Sequence, residues 1–308
     1  MSRGMVLGAL VAVGAVTAVS AAYQAQQPNA PKVVQAEKLK DNLYMLKGGG
    51  GNTAVFVGTI GVVVVDTKNP GWGQPILDKI KELTDKPVTT IINTHTHADH
   101  TGGNSEFPRT VEFVAHENTR TNMARMDEFK GQKAAFLPSR TFKDSMSLLA
   151  GTDRIDLRYF GAGHTNGDAV IVFPSLRTVV MGDLFARKWA PLVDSENGGS
   201  ATAFPQTLAS AVRSIKDVDT VITGHATTTL GSGAGVSFVR SNPVMTWADL
   251  EEYAGFMRDF VAAAQAAQKA GRTAADAAKS LNLPAKYKNY NMARAAEDVQ
   301  KVYDESKR

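Results

Sequence analysis

The chain has 308 residues, 43% of them hydrophobic and 21% charged, so it can bury a sizeable core as one large domain or two small ones. Its formal net charge is +4, but the lysines and arginines are scattered along the sequence, which disfavours a nucleic-acid partner. The absence of cysteine excludes disulfides, thiolate metal ligands and cysteine nucleophiles. Any bound metal ion must therefore be held by imidazole and carboxylate groups.

The first 36 residues are typical of an exported protein. Arg3 precedes an apolar run at residues 6–19, and small residues at positions 20–22 suit a signal peptidase. The run is shorter than the ~20 residues that span a bilayer. We predict a signal peptide at residues 1–22, a flexible linker at residues 23–36, and a periplasmic or secreted mature protein without membrane contact after cleavage. An uncleaved anchor is the alternative.

Strand and helix patterns alternate after the linker. Residues 43–46 and 53–57 are predicted strands around a four-glycine turn at residues 48–51. A continuous apolar run at residues 61–67 indicates a strand buried on both faces, and residues 75–83 have helical spacing. Residues 88–93 form another buried strand. This order brings residues 94–100 to the carboxyl end of a sheet, where ligand sites of α/β proteins lie.

The later part of the chain repeats this arrangement. Predicted strands at residues 154–160, 178–181 and 220–223 end shortly before His164, Asp183 and His225. Side chains that follow several strand ends indicate one site built from several loops on a rigid scaffold. Residues 236–308 have helical periodicity and no chemistry-bearing motif, so we predict a helical C-terminal extension packed on the domain.

The strongest signal is the segment His95-Thr-His97-Ala-Asp99-His100. His95 and His97 are two positions apart, so in an extended chain they point to the same side. Asp99 and His100 come in the turn that follows and can face a second ion. Three histidines and one aspartate within six positions indicate a metal centre.

This His-x-His-x-Asp-His segment resembles the hallmark of the metallo-β-lactamase superfamily, and the resemblance continues through Gly163-His164, Gly182-Asp183 and Gly224-His225. It implies an α/β fold at residues 37–235, an αββα four-layer sandwich of two mixed β-sheets, followed by the helical extension at residues 236–308. It also implies two Zn²⁺ ions per chain. The implied ligands are His95, His97 and His164 for one ion, Asp99, His100 and His225 for the other, and Asp183 as the bridge, with Asp99 also relaying a proton.

Two residues outside the ligand set are also of interest. Asp66 ends the strand before the site, and its carboxylate can accept the second N–H of a ligand histidine and so fix its tautomer. A turn-capping role is the alternative for Asp66. His116 is the one histidine outside the pattern, and we expect it to make a structural hydrogen bond.

Residues 62–67, 86–88, 93–104, 197–200 and 204–205 have sequences that resemble the B1 subclass of β-lactamases. This similarity implies that a cation after the Asp183 strand, either Lys188 or Arg187, binds a substrate carboxylate; we assign the role to Lys188. It also implies that Asn197 lies near the substrate carbonyl. Those enzymes carry Cys where this chain has Asp183, which weakens the comparison at the leaving-group step.

We therefore predict an exported dinuclear zinc hydrolase that attacks an amide-type or ester-type carbonyl of a small-molecule substrate, related to β-lactamases and able to act on β-lactams. A lactonase or another ester or thioester hydrolase of the same superfamily is the first alternative, because the fold alone does not choose among these reactions. A non-catalytic metal-binding protein is the second.

Overall fold

The computed structural model describes residues 32–230, 237–240 and 242–307, and only the backbone at residues 227–230 and 237–240. The predicted signal peptide lies outside these residues and stays a prediction. Within the described part, no helix is long and apolar enough to cross a membrane.

The strands form two large mixed sheets and a separate hairpin. The first sheet has the spatial order β1 (Gln35–Lys40), β2 (Leu43–Lys47), β3 (Thr53–Val57), β4 (Val62–Val65), β5 (Val88–Ile92), β6 (Glu112–His116) and β7 (Arg140–Phe142). The second has the order β15 (Val244–Thr246), β12 (Thr220–Ile222), β11 (Thr178–Val180), β10 (Val170–Phe173), β9 (Ile155–Arg158) and β8 (Ser145–Leu148). The hairpin pairs β13 (Thr227–Leu230) with β14 (Ser237–Arg240).

The described α-helices flank the two sheets or follow their strand ends. They are α1 (Gly73–Leu83), α2 (Ala98–Thr101), α3 (Glu117–Met123), α4 (Phe204–Ser214), α5 (Trp247–Lys269), α6 (Ala274–Lys279) and α7 (Ala295–Glu305). Strands β4 to β7 run parallel and β11 runs parallel to β12, whereas the other pairs are antiparallel. Both large sheets are therefore mixed.

Three apolar clusters hold four layers together. Between the sheets, side chains such as Phe56 of β3 and Phe173 of β10 meet, with ring centroids 5.5 Å apart. The outer face of the first sheet packs on Ile76 and Ile80 of α1. The outer face of the second sheet packs on α4, α5 and α7. Each fully buried side chain of this size contributes about 1.5–3 kcal/mol through removal from water. The predicted αββα sandwich is confirmed.

The structure moves two of the predicted boundaries. Strand β1 begins at Gln35, so the last two residues of the predicted linker at 23–36 belong to the first sheet. Strand β15 pairs with β12 through Val244 and Ile222, so the sheets continue to Thr246 and the predicted boundary at residues 235 and 236 falls too early. For β15 the cause is its pairing with β12, a strand well before it in the chain, which has no local signature in the sequence. Helix α5 starts after Thr246, whose hydroxyl accepts the Asp249 N–H in a capping box.

Candidate metal centre

The seven predicted ligands converge at one edge of the sandwich. His95, His97, His164 and Asp183 form one group, and Asp99, His100 and His225 form the other, with the ligand atoms of each group within 4.8 Å of one another. Each group draws on loops that follow β5, β9, β11 or β12. Residues that lie more than a hundred positions apart in the sequence, such as His95 and His225, are therefore neighbours in space.

Asp183 belongs to the first group and also lies close to the second. Its Oδ1 is 3.4 Å from His100 Nε2, and its Oδ2 is 3.3 Å from His225 Nε2 and 3.8 Å from His164 Nε2. The approach is close because Gly224 has no side chain: a Cβ there would overlap Asp183 Oδ1. This carboxylate can reach an ion in either group, which is the position predicted for the bridge.

Neighbouring acceptors fix the tautomers of His97 and His164. His164 Nδ1 donates to the Leu192 carbonyl oxygen at 2.7 Å, and His97 Nε2 donates to Asp194 Oδ2 at 2.7 Å. In the neutral rings the opposite nitrogens, His164 Nε2 and His97 Nδ1, then carry lone pairs, and they face each other at 3.0 Å. Two facing lone pairs repel each other unless a proton or a metal ion bound to both nitrogens satisfies them, and both rings can serve as ligands of one ion.

His95 and His100 are held through their Nδ1 atoms, His95 by the Thr94 hydroxyl at 3.0 Å and His100 by Asp66. The Asp66 carboxylate accepts from His100 Nδ1 at 2.7 Å, as well as from the backbone and hydroxyl of Thr94 at 2.8 and 2.7 Å. His95 Nε2 is buried and, among the described residues, has no hydrogen-bond partner. A buried ring nitrogen left without a partner is costly unless a ligand satisfies it.

The charge state of two of these rings suits a metal ligand. Burial, followed by the neighbouring histidines, lowers the pKa of His95 well below its usual value. Burial lowers the pKa of His164 to about 4. Both rings are therefore neutral at pH 7, and neutral imidazoles together with carboxylates are the donor set that zinc prefers in a site without thiolates. The residues present fit a metal pair.

The four-glycine turn forms one wall of the site. A Cβ at Gly51 would lie 2.3 Å from His100 Cε1, so only glycine permits this approach. Gly51 N donates to the Asp99 carbonyl at 2.9 Å, and the buried Lys68 ammonium donates to Gly51 O at 2.7 Å and Leu46 O at 2.8 Å. The turn is thus tied to the segment that carries Asp99.

The structure contradicts the assignment of Lys188 to the substrate. Its ammonium lies 2.6 Å from Asp249 Oδ1 and 2.9 Å from Glu252 Oε1, both on α5. These two carboxylates neutralise Lys188, so it serves to join the loop after β11 to the C-terminal helices.

The neighbouring cation, Arg187, is near enough to the centre to interact with the charges of Asp183 and Asp99. Its guanidinium stacks on the Trp189 ring at 4.4 Å, and its Nη1 is buried without a hydrogen-bond partner among the described residues. Burial lowers the pKa of Arg187, while the charges of Asp183 and Asp99 oppose that effect. A guanidinium with one partnerless buried nitrogen near this cluster is suited to an anionic group of a ligand.

Asn197 also differs from its predicted role. Its side-chain amide donates to Asp194 Oδ2 at 2.6 Å, and its Oδ1 accepts from Arg125 Nη2 at 3.0 Å. Asn197 therefore holds Asp194, which in turn holds His97, rather than presenting its amide to a substrate carbonyl. Sequence reasoning missed Asp194; its only signal was a carboxylate three positions before Asn197 in a loop already assigned to the site.

His116 lies outside the cluster. Its Nε2 donates to the Lys143 carbonyl at 2.8 Å, its Nδ1 accepts from Asn118 N at 3.2 Å, and its ring stacks on Tyr159 at 4.0 Å. The expected structural hydrogen bond is confirmed.

The profile of the metallo-beta-lactamase superfamily matches residues 46–225, more than half of the chain and all seven converging residues. The chain belongs to the metallo-β-lactamase superfamily. The chain is 26% identical over 208 residues to a metallo-beta-lactamase type 2 of Elizabethkingia meningoseptica, and the aligned region covers 62% of this chain and 78% of that protein. It is 29% identical over 148 residues to a hydroxyacylglutathione hydrolase of Crocosphaera subtropica, covering 48% of this chain and 49% of that protein.

Further relatives share parts of their length or the fold. A 2,4-dinitroanisole O-demethylase subunit alpha of a Nocardioides species is 31% identical over 151 residues, covering 48% of this chain and 45% of that protein. The chain thus spans about half the length of this relative and of the hydroxyacylglutathione hydrolase. Among solved structures, a metallo-beta-lactamase from Pontibacter korlensis superposes with a TM-score of 0.59 at 18% identity, over 73% of this chain and 99% of that one. A sec-alkylsulfatase from a Pseudomonas species gives 0.69 at 14% identity, over 89% and 50%. These two likenesses concern the fold.

Proposed function

We propose that this chain is an exported dinuclear zinc hydrolase that acts on the carbonyl group of a small anionic substrate. The observation that carries the metal centre is the set of convergent nitrogen and oxygen donors with their tautomers fixed from behind. His97 Nδ1 and His164 Nε2 face each other, and His95 Nε2 has no partner among the described residues. Asp183 lies within 4 Å of donors from both groups.

Two zinc ions bound there supply hydroxide at neutral pH and polarise a carbonyl. The remaining tasks belong to the chain. Asp99 is the ligand-set carboxylate most open to solvent, with 34% of its side chain exposed against 10% for Asp183. Its Oδ2 lies 3.4 Å from His225 Nε2. We assign to Asp99 the acceptance of a proton during the reaction, because it is the more accessible of the two carboxylates.

Arg187 is the group we assign to substrate recognition. Its guanidinium lies against the Trp189 ring and near the charges of Asp183 and Asp99, where it can attract a carboxylate of the substrate. β-Lactams carry such a carboxylate next to a strained amide, and one relative is named a metallo-beta-lactamase. Export would bring the enzyme to the compartment in which these antibiotics act.

A thioester or ester hydrolase is the second candidate. Asp183 favours it, since a carboxylate held by both ions would lower the net charge of the metal pair and so would weaken the stabilisation of an anionic nitrogen leaving group. Sulfur and oxygen leaving groups need less stabilisation. The relatives named hydroxyacylglutathione hydrolase are consistent with this candidate.

Metal analysis tests the centre first. Purified wild-type protein should contain two zinc ions per chain, and Asp183→Ala should lose at least one of them. Asp78→Ala removes an exposed carboxylate of α1 and should retain both. A folded, active protein without metal would overturn the proposal.

A substrate panel then separates the two candidates. A chromogenic cephalosporin, an acyl-homoserine lactone and a thioester are offered to the zinc-loaded enzyme, and kcat/KM is compared. Turnover of the cephalosporin supports the β-lactamase candidate. Turnover of the thioester or lactone alone eliminates that candidate and supports the second.

A further inference from the structure

One loop supports the first ligand group from behind. Residues 187–202, here named the ligand-supporting loop, contain the Leu192 carbonyl that fixes His164 and the Asp194 carboxylate that fixes His97. The loop contains no strand or α-helix, and only a short 3₁₀ turn at Ser195–Asn197. Its position must therefore be set largely by contacts from other parts of the chain.

The carboxylate of Glu305, in the last turn of α7, forms hydrogen bonds with the end of this loop. It accepts from Ser200 Oγ at 2.7 Å, from Ala201 N at 2.8 Å and from Thr202 N at 2.9 Å. Burial opposes the ionisation of Glu305, but hydrogen bonds from Thr202, Ser200 and Ala201 outweigh it and lower its pKa. A carboxylate at the C-terminal end of a helix interacts unfavourably with the helix dipole. Its placement is therefore explained by the loop and not by α7.

Lys301 forms a hydrogen bond with the middle of the same loop. Its ammonium donates to the Val193 carbonyl at 2.5 Å, at the residue between Leu192 and Asp194. Glu297, one turn earlier on α7, accepts from the same ammonium at 2.6 Å and holds it in place. One face of α7 thus contacts the loop at the point where both histidine-fixing acceptors originate.

A third contact holds the start of the loop. Asn291 forms a parallel bridge with Trp189, in which Ala190 N donates to Asn291 O at 2.9 Å. Lys188, also at the start of the loop, forms ion pairs with α5. The C-terminal region therefore contacts the loop at its beginning, middle and end. A segment held at three places along its length has little freedom to shift the acceptors it carries.

We propose that Glu305 and Lys301 are positioning residues of the metal centre, and that the C-terminal helices order the ligand-supporting loop so that His97 and His164 present their lone pairs to the metal. This inference rests on the metal centre of the proposed function. Groups that orient ligand histidines affect metal affinity about 10-fold to 100-fold when they are removed. Glu305 and Lys301 act one contact further away, so we expect the lower end of that range.

The test measures zinc affinity by competition with a chromophoric chelator, using the full mature chain. Glu305→Ala and Lys301→Met should each lower the zinc affinity of the site that contains His97 and His164 about 10-fold. Glu305→Gln keeps one acceptor oxygen and should fall between Glu305→Ala and the wild type. Asp304→Ala is the matched control: it removes the adjacent, exposed carboxylate of α7 and should leave zinc affinity unchanged. The visible spectrum of the cobalt-substituted protein should change in Glu305→Ala and stay constant in Asp304→Ala.

A lowered melting temperature with unchanged zinc affinity in Glu305→Ala and Lys301→Met would overturn the inference, because Glu305 would then only stabilise the start of α4. Should Glu305→Ala fail to fold, Glu305→Gln and Lys301→Met decide by the same criterion. A wild-type protein that binds no zinc overturns the proposed function, and the inference with it. Zinc binding by the wild type with equal affinity in every variant overturns the inference alone.

Discussion

The carboxylate of Asp66 lies 2.7 Å from His100 Nδ1, and both side chains are buried. Asp66 adopts a left-handed backbone conformation, with φ at 64°, directly after β4. Its carboxylate also accepts from the backbone and hydroxyl of Thr94, the residue before His95. A single carboxylate thus orients one histidine of the second ligand group and anchors the strand end that starts the first group.

Asp66→Asn is expected to weaken zinc binding by about 10-fold to 100-fold, since the amide removes the negative charge that orients His100 and increases its basicity. The measurement is chelator competition on the purified variant. Asp85→Asn, at an exposed position between α1 and β5, is the control and should bind zinc like the wild type. Equal affinity in the Asp66 variant would show that the hydrogen bond does not tune the centre.

The adjacent cations Arg187 and Lys188 give a second, paired prediction. Arg187→Met should raise KM for an anionic substrate about 10-fold to 100-fold, because a hydrogen bond to a charged group contributes about 1.5–3 kcal/mol. The kcat value should change less. Lys188→Met should leave KM unchanged and lower the free energy of unfolding by about 1 kcal/mol, since its partners lie on a partly exposed surface.

Steady-state kinetics with an anionic ester and a neutral analogue of the same ester would check this pair. The loss in Arg187→Met should be confined to the anionic compound. A loss of equal size for both compounds, or a KM effect in Lys188→Met, would contradict the assignment of substrate recognition to Arg187.

The convergence of the seven candidate ligands could be predicted from sequence for a physical reason, whereas their division between two ions came from the family resemblance. His95 and His97 obey the two-residue period of an extended chain, and His164, Asp183 and His225 each follow an apolar strand. Strand signals depend on local hydrophobicity, and the carboxyl ends of strands in such sheets meet at one edge. Local patterns therefore carried most of the information that was needed.

The supporting contacts could not be predicted, because their partners are distant in sequence. Lys188 and Arg187 differ by one position, and only Asp249 and Glu252, the latter 64 residues later, decide which cation remains for the site. Similarity to a known loop predicts that Asn197 lies near the substrate carbonyl, yet its side chain is hydrogen-bonded to Asp194 and Arg125. The same holds for β15, which joins the second sheet through pairing with β12.

Export provides a prediction that concerns residues outside the described part. Expressed from its full sequence in a bacterium, the protein should be recovered from the periplasmic or extracellular fraction with an N-terminus near residue 23. Replacing two residues of the apolar run, Val11 and Val13, by aspartate should retain the uncleaved chain in the cytoplasm, because signal recognition depends on that apolar segment. N-terminal sequencing and mass measurement distinguish a cleaved signal from a retained anchor.

Asp298 of α7 gives a pH-dependent prediction away from the ligands. It is 1% exposed, and both carboxylate oxygens lack a hydrogen-bond partner among the described residues. Burial raises its pKa to about 8. The folded state therefore binds this proton more tightly than the unfolded state, whose carboxyl has a pKa of about 4. The contribution of Asp298 to the free energy of unfolding is fully present below pH 4 and is lost as the pH rises from about 4 to 8.

Asp298→Asn removes this titration. Relative to the wild type, the variant should gain stability as pH rises through that window, by up to about 1.4 kcal/mol per pH unit, because its side chain never has to carry a buried charge. Melting temperatures of both proteins at pH 5, 6, 7 and 8 provide the measurement, with Asp304→Asn on the exposed face of the same helix as the control. A difference in melting temperature between the two proteins that is the same at all four pH values would mean that Asp298 is ionised and solvated in the folded protein.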